Sequence, residues 1–273
     1  MFEWRNLLKG MMMGASDVVP GVSGGTIALL VGIYERLIEA INGLSTKEWK
    51  KHVVFLIPVG LGMGIAILTL SHVISWLIEF FPQPTFFFFL GLILAIIPTL
   101  LREANYKKTF GGMHYLLLVI AAIAVAATAF IGEDSVTIMT NLTWADYLFL
   151  LFSGWLASSA MILPGISGSL VLLLMGVYMT VMDAIKSFHL PIIIVVGLGI
   201  VLGLLLTSKL IRYLFIHYRA ATYAIMIGFV VGSLFVVYPG WPNDVLLMAI
   251  SILAFLCGYV FAYLLGKVER GES

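Results

Sequence analysis

Charge is scarce in this chain. Lys and Arg number 15 and Asp and Glu 14, so charged residues make up 11% of 273, where a soluble domain carries about 25%. Cysteine is nearly absent: Cys257 stands alone, which excludes a disulfide framework and a cysteine metal site. It reads as a small apolar residue within a span. The histidines, His52, His72, His114, His189 and His217, are scattered, so no metal-spaced cluster forms. Walker and Rossmann patterns are missing, and so is a basic patch, so no cofactor, nucleotide drive or nucleic-acid partner is expected. Strands of about ten alternating residues are lacking too, which excludes a β-barrel. No small-residue cleavage site precedes Ser16 and Asp17, so the N-terminus reads as a mature start rather than a signal peptide.

What is present is length without charge. The chain is 62% hydrophobic, with a mean hydropathy of +1.10. Apolar runs at 53–79, 86–101, 113–131, 190–209, 220–238 and 245–265 are near or above the roughly 17–20 residues that cross a bilayer. An all-α polytopic membrane protein is expected.

The chain also repeats itself. Residues 20–41, PGVSGGTIALLVGIYERLIEAI, align with 164–185, PGISGSLVLLLMGVYMTVMDAI, and ten of the 22 positions are identical, among them Gly32/Gly176 and Tyr34/Tyr178. VGLGMGIAILTLSH at 59–72 matches VGLGIVLGLLLTSK at 196–209, and PTFFFFLGLILA at 84–95 matches ATYAIMIGFVVG at 221–232. Each half is therefore one broken segment plus three apolar helices. The first repeat is 1–131 with its hairpin at 11–42, 132–145 is an outer linker, and the second repeat is 146–273 with its hairpin at 146–187.

Orientation follows from the basic residues. If each broken segment is a re-entrant hairpin, each half crosses three times and the second half is inverted. Thirteen Lys and Arg then lie on the cytoplasmic side with both termini, Lys186 alone lies outside, and Arg36 falls within the hairpin. Complete crossings would instead split them seven against seven. The positive-inside rule selects the two inverted-topology repeats. Residues 11–19 would rise roughly 13 Å to a break near the midplane, and the chain would return through 26–41.

Broken backbone at membrane depth is tolerated only where it is buried in protein or lines a cavity, and paired breaks point to a transporter's binding site. Pro20 and Gly21, and their counterparts Pro164 and Gly165, break the helices. Ser23, Gly24, Gly25 and Thr26 then open a helix with free amides and a favourable dipole, and Ser167, Gly168 and Ser169 do the same in the second copy. Two such starts near one another would bind an anion such as phosphate. The same glycines would also suit close helix packing. Asp17 lies three residues before the first break, where the second copy has Met161. Two roles are open to it: a proton carrier, or a cap for the freed amides. Glu35 and Glu39, an i, i+4 pair at the hairpin exit, are the other candidates for proton coupling.

GASDVVPGVSGGTIALLVGIYERLI and MILPGISGSLVLLLMGVY together resemble the bacterial and archaeal family catalogued as domain of unknown function 368, identified with PopT-type polyprenyl-phosphate transporters. The resemblance covers nearly the whole chain. It implies a plasma-membrane flippase that returns undecaprenyl phosphate to the cytoplasmic leaflet for cell-wall polymer synthesis, with the two PG-x-SG motifs as its site. The residues alone give an anion-binding transporter. A small-anion transporter or channel is the alternative, and an intramembrane serine hydrolase would need a base beside Ser23 or Ser167.

Overall fold

The computed structural model describes residues 4–19, 21–130, 138–139 and 142–269. The expected break at Pro20 and part of the linker lie outside the described residues. The elements are helices α1 (Trp4–Asp17), α2 (Gly24–Leu30), α3 (Tyr34–Gly43), α4 (Trp49–Phe80), α5 (Pro82–Glu103), α6 (Tyr106–Thr109), α7 (Gly112–Ala127), α8 (Trp144–Ile162), α9 (Gly168–Leu174), α10 (Tyr178–Lys186), α11 (Leu190–His217), α12 (Arg219–Val237) and α13 (Val245–Glu269).

Seven helices among the described residues are long and apolar enough to cross a membrane: α4, α5, α7 with a short extension to Phe130, α8, α11, α12 and α13. Six match the expected spans. The seventh, α8, was expected as the entry arm of a hairpin, and its 19 residues rise roughly 28 Å. α1 is longer than expected too, at 14 residues or roughly 21 Å. It begins earlier because Leu7 and Gly10 pack on α4 as the residues after them do. α11 runs on past 209 to His217, because no breaker intervenes before Tyr218.

Glycines set the helix pairs. Gly10 and Gly14 lie against the backbone of Val59 and Met63, and Gly62 lies against that of Leu7. In the second half Gly154 meets Val196 and Gly199 meets Leu151, the same contacts at repeat-equivalent positions. Without a Cβ, the backbones approach closely enough for dispersion to hold them in lipid. The order of these contacts makes α1 parallel to α4, so the chain between them must turn back. The remaining spans pair across the halves, α5 with α13 and α12 with α7. Gly91 meets Phe255, and its equivalent Gly228 meets Leu118.

The return from each break comes in two pieces. Gly32 (φ +66°) and Gly176 (φ +70°) stand in the left-handed region, which costs any other residue a steric clash with its own Cβ. The chain bends there, by 112° between α9 and α10.

A candidate anion site at the paired helix breaks

Gly21 (φ +81°) and Gly165 (φ +84°) turn the chain out of α1 and α8. Ser23 then caps α2 from an extended conformation, its Oγ accepting from the Gly25 N–H at 3.2 Å. The two breaks touch: the Gly165 N–H donates to Thr26 Oγ1 at 2.8 Å, a contact between residues far apart in sequence. Both Ser23 and Thr26 are buried.

The start of α2 is docked on the end of α8. Helix ends leave their last carbonyls without partners, and here hydroxyls of the first hairpin supply them. Tyr34 Oη donates to the Ile162 carbonyl at 3.0 Å, and Ser23 Oγ lies 3.5 Å from that of Met161. The positive end of α2 thus meets the negative end of α8.

Asp17 takes the remaining donor. Its Oδ1 accepts from the Gly24 N–H at 2.6 Å, while Oδ2 is buried without a hydrogen-bond partner among the described residues. A Cβ on Gly24 would fall 2.7 Å from Oδ2, so only glycine lets the carboxylate sit there. Of the two roles open to Asp17, the cap is the one the geometry displays.

The second break is built differently. Ser167 stands at the N-cap of α9 without a side-chain capping bond to the backbone, and its Oγ instead lies 2.7 Å from Ser169 Oγ. Ser169 is exposed, whereas α2 is buried along its length. The two starts are therefore unequal: the first has its donors engaged by protein groups and is buried, and the second has an exposed hydroxyl on Ser169 beside half-buried Gly168 and buried Ser167.

Glu35 and Glu39 sit apart from the breaks, exposed on α3. Glu35 faces α12, where Arg219 approaches its Oε1 at 3.4 Å and Tyr223 Oη donates to it at 3.0 Å. Tyr223 Oη is also 3.4 Å from Glu103 on α5. These groups and Tyr34 line a cavity of about 310 Å³. Both ion-pair partners are more than half exposed, so the bridge contributes little, about 0–1 kcal/mol. Sequence reasoning missed Arg219, Tyr223 and Glu103, which only the tertiary fold brings to Glu35. It also gave Tyr34 no role, and the only signal was its identity with Tyr178.

A family described as VCA0040-like, undecaprenyl phosphate translocase-like, matches residues 13–254. The Staphylococcus aureus polyprenyl-phosphate transporter is 43% identical over 98% of this chain and 97% of that protein. The Vibrio cholerae polyprenyl-phosphate transporter is 40% identical over 85% of this chain and 76% of its own length. No solved structure matches the chain. Apolar spans, paired breaks and these matches agree, and the chain belongs to the undecaprenyl phosphate translocase-like family.

Proposed function

We propose that this protein carries polyprenyl phosphate across the plasma membrane, undecaprenyl phosphate in particular, and returns it to the cytoplasmic leaflet. The halves are inverted repeats with both termini cytoplasmic, and the phosphate is handled at the breaks by Ser167, Gly168 and Ser169 and by Ser23, Gly24, Gly25 and Thr26. The observation that carries the reading is the contact of the two breaks through Thr26 and Gly165. Broken backbone buried between two halves is where a transporter places its substrate. Parallel packing supports the topology: Gly228 meets Leu118 and Gly232 meets Ala122, so α12 and α7 run the same way, as three crossings per half require.

A lipid phosphate suits such a site. Its headgroup needs a few donors and its tail an apolar face open to lipid, and the described residues offer both, with the Ser167 and Ser169 hydroxyls at the second break and exposed Leu68 on α4 and Ile185 on α10. The test is reconstitution in liposomes with leaflet-resolved labelled undecaprenyl phosphate. The parent protein moves the lipid. Ser167→Ala and Ser23→Ala each weaken lipid-phosphate binding, and Ser167→Ala does so more, because the Ser23 hydroxyl is already engaged with backbone. Loss of one charge-assisted hydrogen bond is worth about 1.5–3 kcal/mol, or roughly ten- to a hundredfold in affinity. Unchanged binding in the double variant assigns the breaks a packing role only. Movement of inorganic phosphate without the lipid favours the small-anion alternative.

A further inference from the structure

The two halves pair alike in their long helices but not in their hairpins. α3 of the first half packs against α11 of the second. The repeat-equivalent contact is α10 against α4, and among the described residues α10 instead packs on α9 and α11 of its own half. The second hairpin accordingly belongs to a small separate core of Leu150, Val177, Ala184, Ile192 and Val196. The first hairpin lies in the main core with α5 and α12.

Exposure records the same asymmetry at equivalent positions. Leu68 on α4 is 78% exposed, whereas its equivalent Leu205 on α11 is half-buried. Ile185 on α10 is 51% exposed, and its equivalent Ile41 on α3 is half-buried. Leu174 is 37% exposed against 7% for Leu30. One interface between hairpin and facing half is closed, and its twin is open.

The latch on the closed side is polar. Tyr34 Oη donates to the Ile162 carbonyl, the last residue of α8. The repeat equivalents of these residues are Tyr178 and Val18, both present in the sequence. Apolar surface gains nothing by leaving lipid for protein, so opening one interface and closing the other costs little in burial. The hydroxyl is different: in an apolar setting it needs a partner. On release Tyr34 has the polar cavity it already lines with Glu35 and Arg219.

We propose that α4 and α10 form the lateral gate by which the prenyl lipid enters, that α3 and α11 form the gate now shut, and that the opposite state exchanges the two contacts, Tyr178 donating to the Val18 carbonyl as Tyr34 now donates to Ile162. The proposal rests on the lipid-transport reading and on the inverted repeat. With hairpin 146–187 facing outward, the structure is the outward-open state, ready to take a lipid from the outer leaflet.

The test uses cysteine pairs in a Cys257→Ser background and a cleavable, flexible bis-thiol reagent. Ile41→Cys with Leu204→Cys reports the closed gate, and Ile185→Cys with Ile67→Cys reports its equivalent. Without lipid, the first pair cross-links and the second lags. Tyr34→Phe shifts the balance toward the second pair by about two- to tenfold, the worth of one hydrogen bond, and Tyr178→Phe shifts it the other way. Cross-linking the first pair stops lipid movement in liposomes, and cleavage of the link restores it. Yields that change together or not at all in the tyrosine variants overturn the exchange, as does full transport by the linked protein. The cross-linking needs no lipid, so its failure with transport intact strikes the gate alone. A parent protein that moves no lipid strikes the transport reading instead.

Discussion

Asp17 is a carboxylate placed where a substrate anion is proposed to bind. It holds the Gly24 N–H at 2.6 Å, and its second oxygen is buried without a partner among the described residues. A phosphate arriving at the same amide competes for the donor and repels the charge, so lipid binding favours the protonated side chain. By linkage, protonation favours lipid binding to the same degree. Asp17→Asn is then expected to keep lipid binding, since a carboxamide oxygen still accepts from Gly24, and to flatten the pH profile of transport in liposomes. A variant with the parent's pH profile confines Asp17 to capping and moves the search to Glu35 and its partners on α12. Because Met161 stands at the equivalent place, a proton carried by Asp17 serves one half only.

The helices divide their glycines between two jobs that cost differently to disturb. Gly176 has φ +70° and nothing near the place a Cβ would occupy, so Gly176→Ala meets only the backbone penalty of about 1–2 kcal/mol. Gly199 is in ordinary helix, but a Cβ there runs into the Leu151 backbone. Gly199→Ala must push α8 off α11 and lose dispersion along the whole pair, with overpacking costs of about 1–3 kcal/mol or more. Thermal unfolding in detergent therefore shows the larger loss for Gly199→Ala, and Gly62→Ala, its repeat equivalent, behaves like it. Equal losses at Gly176 and Gly199 would contradict the close-packing role. The apolar runs made the long helices legible, and α11 was misjudged only at its end, where Lys209 and Arg212 interrupt the apolar run without interrupting the helix. The second bend, at Gly32 and Gly176, was present in the alignment as an identity but carried no polar or proline mark.

The proposed topology of the two halves makes one testable claim about the bilayer. Parallel packing of α1 on α4 and of α12 on α7 agrees with the proposed three crossings per half, in which exposed Ser45 and Ser187 would lie on opposite faces. In a Cys257→Ser background, Ser45→Cys is expected to react with an impermeant maleimide only after the cytoplasmic side is opened, and Ser187→Cys from outside in intact cells. Reaction of both from the same face removes the inverted arrangement and with it the exchange of gates.

Charge scarcity, apolar run length and the doubled PG-x-SG block determined the class, the spans and the two breaks, because the bilayer demands long apolar helices and permits irregular backbone only where protein covers it. Repetition within the chain likewise carried the equivalence of the halves, and the glycine contacts at Gly10/Gly154 and Gly62/Gly199 follow it. The long-range partners at and around the breaks were decided by tertiary structure alone. The partners of Tyr34, Thr26 and Glu35 lie in distant segments, and no spacing along the chain encodes them. Nor does the alignment say that one hairpin is docked and its twin is not. The choice between two nearly equivalent interfaces belongs to the packed conformation rather than to the order of residues.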